Sequence, residues 1–281
     1  MNATSLELLA TDGVALHGRR WACAGQSTAN VVIVHGFGAS SGETKVVALA
    51  EALCDHGEAV LALDARGHGA SGGEATLGDR ERLDVAAAVD ATIDAHGGAA
   101  RPAPIVLVAA SVGAIAALRF LADHPSVHGA TPSVAGRTNG PVESGPGEPG
   151  APGRISSIAG IVIVSCPARW SLPRNARGVL SALLTHTPPG RQVARRSLGI
   201  RIARPAPRPA PPIDLMPRVT VPVAIVHGNA DPFIPVDDAR ALYAVAPDPR
   251  QLELVDGMGH AFEPEAIPPV ITAVDWILAH R

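Results

Sequence analysis

Val106-Leu107-Val108-Ala109-Ala110-Ser111-Val112-Gly113-Ala114-Ile115-Ala116-Ala117 decides the fold. A run of apolar residues with the character of a buried strand halts at a serine set among small residues, and a helix-forming run begins at once. A strand, a sharp turn and a helix in immediate succession hold one side chain at the top of a sheet. Backbone strain is expected at that serine, and small neighbours two positions to either side relieve the crowding. The usual pattern for such a turn is Gly-x-Ser-x-Gly. Ala109 replaces the first glycine with a methyl group, a mild departure, and Gly113 supplies the second.

Two later segments agree with it. Val223-Ala224-Ile225-Val226 is a second buried-strand run and ends in His227-Gly228-Asn229-Ala230-Asp231-Pro232. Leu252-Glu253-Leu254-Val255 ends in Asp256-Gly257-Met258-Gly259-His260-Ala261-Phe262. A serine, an acid and a histidine thus follow three separate strands, in the order Ser…Asp…His. Upstream, Val31-Val32-Ile33-Val34 runs into His35-Gly36-Phe37-Gly38, and Asp64-Ala65-Arg66-Gly67-His68-Gly69-Ala70-Ser71-Gly72-Gly73 forms a glycine-rich turn after the next strand.

In these five segments the chain resembles the α/β-hydrolase superfamily, and within it the esterase, monoacylglycerol-lipase-like and serine-aminopeptidase-like branch. The resemblance covers nearly the whole chain. It implies an α/β fold with a mostly parallel central sheet and helices on both faces, with a short cap inserted before the penultimate strands. It implies Ser111 as nucleophile, His260 as general base and Asp231 as the acid that orients it. The oxyanion hole would be the backbone N–H groups of Phe37 and Val112. The glycine-rich turn shapes the site without taking part in the chemistry.

The chemistry needs these residue types. A serine hydroxyl is a weak nucleophile at neutral pH until an adjacent base takes its proton. An imidazole accepts and returns a proton within one cycle, and a carboxylate fixes its tautomer and stabilises the imidazolium. Asp237 and Asp238 are the nearest rivals of Asp231, but they read as the start of a helix. His35, His68 and His227 read as structural histidines in glycine turns, and Cys166 as a buried, inert thiol. Trp170 and Phe262 lie near the expected entrance, where they would contact an acyl chain or pack the cap.

The periodicity predicts two short strands between Leu6 and Cys23, a strand over Val31–Val34, a helix over Thr44–His56 and a strand over Ala59–Asp64. A helix from Asp79 to His96, the strand Ile105–Ala109, the helix to Asp123 and the strand Ile158–Val164 follow. The strand Val221–Val226, the helix Asp237–Val245, the strand Gln251–Val255 and the helix Pro268–Ala279 complete the unit. Strands alternating with helices imply a parallel sheet covered on both faces. Residues 1–166 and 219–281 read as the core.

Two stretches interrupt the pattern. Residues 129–153 are rich in Gly, Pro, Ser and Thr, too poor in apolar surface to offset the entropy of ordering. They are expected to form a flexible insert on the face away from the active site. Residues 167–218 read as a short cap of two or three helices, ending in a polyproline-type strap over Arg204–Pro212. This cap holds ten arginines against Asp214 alone. The charge bias has two readings. A basic cap would be attracted to an acidic body, or some arginines would clamp an anionic substrate such as a carboxylate or the phosphates of an acyl-CoA.

Composition narrows the rest. The length of 281 residues suits one large α/β domain. Cys23, Cys54 and Cys166 are widely spaced, which fits reduced thiols in a cytoplasmic protein. Met1 to Asp12 has no basic patch followed by an apolar stretch, so no secretory leader is expected. No apolar run is long enough to span a bilayer. No metal-ligand spacing is visible, no cofactor is implied, and no nucleic-acid-reading module is present. The expectation is a serine hydrolase acting on a carboxylic ester or related small-molecule acyl compound. A thioesterase or acyltransferase with the same triad is the nearest alternative, and a non-catalytic binding protein of the same fold is the rival outside enzymology.

Overall fold

The computed structural model describes residues 3–23, 25, 27–95, 103–124, 157–170, 176–204 and 209–281. The Gly/Pro-rich stretch 129–153 and residues 205–208 of the proline strap lie outside the described residues, as does the placement expected for that insert.

Among the described residues, eight strands form one sheet in the order β1-β2-β4-β3-β5-β6-β7-β8. β1 (Thr4–Leu9) and β2 (Ala15–Trp21) form an antiparallel pair, and β2 runs antiparallel to β4 (Ala59–Asp64). From β4 onward the sheet is parallel, through β3 (Asn30–Val34), β5 (Ile105–Ala110), β6 (Ile158–Val164), β7 (Val223–Gly228) and β8 (Arg250–Val255). β3, β5, β6 and β7 are buried along their whole length. Successive side chains of a strand point to opposite faces, so a strand covered on both faces must be apolar throughout. Val32 and Val34 pack into one core cluster and Val31 and Ile33 into the other.

Helices α2 (Glu81–Asp94), α3 (Val112–Asp123) and α7 (Val236–Val245) cover the first face. Helices α1 (Thr44–His56) and α8 (Ile267–Ala279) cover the second. The expected elements are all present, with small shifts at their ends. One such shift is at β7, which begins at Val223 and not at Val221. Pro222 has no N–H to offer the ladder, and its carbonyl accepts from Ile161 N at 3.0 Å.

Between β6 and β7 the chain forms α4 (Ala176–His186), α5 (Pro188–Ser197), the single turn α6 (Pro212–Leu215) and a 3-10 turn over Met216–Arg218. Thr187 caps α5, accepting from Gly190 N at 3.1 Å, and Pro188 occupies the first helical position, where its missing N–H costs nothing. The segment after α5 is anchored on the glycine-rich turn. Arg201 N donates to Gly67 O at 2.9 Å, Ala75 N to Arg201 O at 2.7 Å and Ala203 N to Ala75 O at 2.9 Å. Ala75, Ala194, Ile200 and Ile202 form a small separate apolar cluster there, with Phe37 packed against it. No helix among the described residues is long and apolar enough to cross a membrane.

Candidate active site

The sheet order changes direction at β3. From β3 the chain crosses to β4 on one side, and then returns to add β5 and later strands on the other. Loops leaving the C-terminal ends of β3 and β5 therefore diverge to opposite faces, and a crevice opens between them. Ser111 stands at that crevice, between β5 and α3, with φ 52° and ψ −119°. A non-glycine residue at positive φ costs on the order of 1–3 kcal/mol and persists only where its surroundings impose it. Here they do. Ser111 N donates to Val164 O at 3.0 Å, while Ser111 O accepts from Ala114 N at 3.1 Å to start the helix.

The small residues around the serine are explained by close approach. A methyl group at Gly113 would lie 2.4 Å from His35 O and 2.5 Å from Val34 O. The first turn of α3 therefore lies against the end of β3, and only glycine fits. Ala109 pairs with Val34 and is fully buried, so its methyl group is part of the core packing. A methyl at Gly36 would lie 3.1 Å from Ser111 Cβ, which puts the β3 loop against the serine.

His35 holds that loop. Its ring is buried, Nδ1 lies 2.8 Å from Gly36 O and Nε2 lies 3.1 Å from Ala65 N. A carbonyl needs a donor and an amide N–H an acceptor, so the ring is neutral with its proton on Nδ1. Burial and the neighbouring His68 lower its pKa to about 4. His68 stacks edge-on against both His35 and Phe37. The Phe37 ring is thus committed to packing, while its backbone N–H has no acceptor among the described residues. The N–H of Val112 is likewise without one, as the first N–H groups of a helix are, and the positive end of the helix dipole adds to its field.

Asp231 follows β7. Its side chain is fully shielded from solvent, and every acceptor contact it makes is to a specific donor. Oδ1 accepts from Phe233 N at 2.8 Å and Ile234 N at 3.0 Å, and Oδ2 lies 2.8 Å from His260 Nδ1. Burial alone would raise its pKa. The hydrogen bond and charge of His260 and the two backbone N–H groups outweigh burial and hold the carboxyl below the ordinary carboxylate range. A carboxylate in this position accepts, so Nδ1 of His260 carries a proton, and Nε2 has no partner among the described residues. Asp237 and Asp238 are in the first turn of α7, where Asp238 accepts from Ala168 N at 3.0 Å and Asp237 pairs with Arg240.

His260 follows β8, two strands away from β6, yet its loop folds back over β7. A methyl at Gly228 would overlap Met258 O at 2.1 Å, so the crossing requires glycine there. Asn229 ties the loop down, with Oδ1 accepting from Gly257 N at 2.9 Å and Nδ2 donating to Asp256. The fold-back ends on Ser165, the residue after β6, whose Oγ accepts from Ala261 N at 3.0 Å. Ser165 is fully buried at φ 49° and Ala261 has φ 62°. Ser111 and His260 are therefore both fastened to the C-terminal end of β6, one through Val164 and the other through Ser165. No hydrogen bond joins Ser111 Oγ to His260 among the described residues. Such contacts are often long in unliganded sites and tighten on substrate binding.

Sequence reasoning overlooked two neighbours. Ser165 carries no motif, and its role depends on where Ala261 comes to rest. Phe233 is 42% exposed, with its ring 5.0 Å from the His260 ring in edge-on contact. Of the two aromatic residues singled out at the entrance, Trp170 is 38% exposed and donates Nε1–H to Pro209 O at 2.8 Å. Phe262 is only 3% exposed and packs in the core cluster shared with Met258, Ala266 and Val270. Cys166 is buried, and burial pushes its thiol pKa up.

Comparison with known proteins agrees with this fold. Residues 25–136 match the family model described as serine aminopeptidase, S33. The esterase Pf2001 of Pyrococcus furiosus superposes with a TM-score of 0.67 at 21% identity, over 99% of this chain and 92% of that one. Est1E of Butyrivibrio proteoclasticus, solved with ferulic acid bound, gives 0.60 at 19% identity over 97% and 98%. XC6422 of Xanthomonas campestris, described as an α/β serine hydrolase without lid, gives 0.60 at 15% identity over 99% and 94%. No curated protein matches the sequence. With its sheet order and its strained serine turn after β5, this chain has the fold of these α/β hydrolases, and residues 25–136 are similar to the serine aminopeptidase family.

Proposed function

We propose that this protein is a serine hydrolase that cleaves a carboxylic ester or related acyl bond through an acyl-enzyme. The observation that carries the reading is the 2.8 Å contact between Asp231 and His260 Nδ1, which turns Nε2 into the free base of a site whose serine occupies a strained strand–helix turn. Ser111 Oγ attacks the acyl carbon and gives its proton to His260 Nε2. The carbonyl electron pair moves onto oxygen, where the N–H groups of Phe37 and Val112 receive the charge. The bond to the leaving group then breaks, and His260 returns the proton to the departing oxygen. Water repeats the sequence in the second half-reaction and releases the acid. One oxyanion donor is typically worth about 10²–10³ in rate.

Residues 167–218 serve in this reading as a cap over the core formed by 1–166 and 219–281. Trp170 and Phe233 offer exposed aromatic surface for an acyl group, while Phe262 supports the His260 loop from beneath. The wide spacing of Cys23, Cys54 and Cys166 suits a reducing, cytoplasmic setting.

A fluorophosphonate probe tests the assignment directly. The expected result is labelling of Ser111 alone, lost in Ser111→Ala together with hydrolysis of p-nitrophenyl esters. Turnover that persists in that variant would refute the nucleophile. An unlabelled, inactive wild-type protein would favour the non-catalytic reading instead.

A further inference from the structure

A cavity of about 390 Å³ opens between α5 and the segment 200–204, beside the glycine-rich turn. Arg191, Arg195, Arg201 and Arg204 line it, with Gln192, Ile202 and a single acid, Glu74. Arg191 and Arg195 are four residues apart on α5 and so share one helix face. Arg201 is locked in place, with Nε donating to Gly73 O at 3.0 Å and Nη2 to Ser71 O, and its Nη1 has no acceptor among the described residues. Arg191 Nη1 reaches the carbonyls of Thr185 and His186 at 3.3 Å, and its buried Nε has no acceptor. Arg195 and Arg204 have no acidic partner among the described residues. Four arginines line the cavity against one carboxylate, and among the described residues only the carbonyls of Ser71, Gly73, Thr185 and His186 receive N–H groups from them.

We propose that this cavity binds the phosphate groups of an acyl donor carried on a phosphate-bearing thiol, so that the hydrolase acts on acyl thioesters of that class. Charge favours phosphates over a lone carboxylate. The wall carries an excess of three positive charges, which one carboxylate leaves mostly unmatched. A terminal phosphate supplies about 1.5 to 2 negative charges at neutral pH, and each phosphate bridging within the carrier adds a further charge. Guanidinium groups also match phosphate oxygens in paired geometry. The volume falls within the range of small-molecule sites.

Position links the cavity to the reaction. Its floor, Ile202, belongs to the apolar cluster of Ala75, Ala194 and Ile200 against which Phe37 packs. Ile200 also approaches Gly38, where a methyl would lie 3.9 Å from its Cδ1. One layer of apolar side chains therefore separates the arginines from the β3 loop beside Ser111. A flexible thiol arm running over that layer would carry its acyl group to the serine while its phosphates stay with the arginines. The substrate class rests on the serine-hydrolase reading, whereas phosphate binding at the cavity does not.

Butyryl-CoA and p-nitrophenyl butyrate deliver the same acyl group on charged and neutral leaving groups. The double variant Arg195→Gln/Arg204→Gln, both exposed positions, should raise KM for butyryl-CoA about tenfold or more and leave the neutral ester within about twofold. Glu74→Gln should lower KM for butyryl-CoA, a gain that misfolding cannot produce. Pyrophosphate should compete with butyryl-CoA and not with the neutral ester, and the competition should weaken at high salt. Equal effects on both substrates, or none, would overturn the proposal. If the wild-type protein hydrolyses neither compound, the serine-hydrolase reading fails, and calorimetry with CoA and with pyrophosphate still decides the cavity. Binding that disappears in the double variant supports it, and no binding at low salt sinks it. Sedimentation with phosphatidic acid vesicles through the same arginines, without CoA binding, would assign the phosphate to a lipid surface and overturn the soluble carrier.

Discussion

At Ser111 the chain keeps a backbone conformation that a side chain disfavours. Ser111→Gly removes both the hydroxyl and the strain, because glycine adopts positive φ freely. We expect this variant to lose probe labelling while its unfolding free energy rises by about 1 kcal/mol in urea melts. An unchanged or lower stability would mean that the turn is not strained as φ 52° implies. Gly113 is the opposite case. A methyl there would overlap two backbone carbonyls that cannot swing aside. Gly113→Ala should cost about 1–3 kcal/mol or more and, by pushing α3 from β3, reduce labelling of Ser111. Both positions were legible in the sequence because the strand, the turn and the helix are contiguous. Ser165 was not, since its partner Ala261 is almost a hundred residues away.

At the scale of elements, the His260 loop is held by three separate devices: the crossing over Gly228, the Asn229 clamp and the Ser165 hydroxyl. Ser165→Ala removes only the last. Loss of one hydrogen bond of ordinary strength, about 1 kcal/mol, should loosen the loop without detaching it. We expect kcat to fall about fivefold with KM unchanged. A rise in KM with kcat intact would place Ser165 in substrate binding instead. The β6–β7 connection also shows how the arginines are used. One reading of the charge bias over 167–218 is a basic cap docked by ion pairs on an acidic body. Among the described residues only Arg218 meets a body carboxylate, at 3.7 Å from Asp123. The segment docks instead through backbone hydrogen bonds and the cluster around Ile200 and Ile202, and Arg201 binds carbonyls because a glycine-rich turn exposes them.

Across the whole molecule, a buried ionic network secures the turn after β4. Arg66 is 2% exposed and bonds through Nε and Nη2 to Asp84, with a second pair of contacts to Asp12 near the β1–β2 turn. Asp84 also accepts from Arg66 N at 2.8 Å. Asp84→Ala would leave a buried guanidinium short of its main partner, at a cost of about 3–5 kcal/mol in unfolding free energy. A loss below 1 kcal/mol would mean that Asp12 and water suffice. Acid stability follows from His35. Its folded pKa of about 4 lies below the ordinary 6.5, so the unfolded chain binds the extra proton first as pH falls. No contribution arises above pH 7. Between about 6.5 and 4 the folded state loses on the order of 3 kcal/mol. Below that, protonation of Asp231 acts in the same direction. His35→Gln should flatten the urea-midpoint profile across that window, and an unchanged slope would mean that the ring is protonated in the fold.

Alternation of apolar strands and amphipathic helices already dictated a parallel sheet covered on both faces, because any strand buried on two sides must be apolar at every position. Short-range chemistry likewise marked the serine turn, and chain order marked Asp231 and His260 as candidates for acid and base. Contacts between segments distant in the chain came only with packing. Folding alone returned the β8 loop across β7 to β6, placed Phe233 beside the imidazole, turned Phe262 into the core and gathered four arginines around one cavity. Each of these is set by which elements become neighbours in three dimensions, and periodicity along a chain carries no information about that.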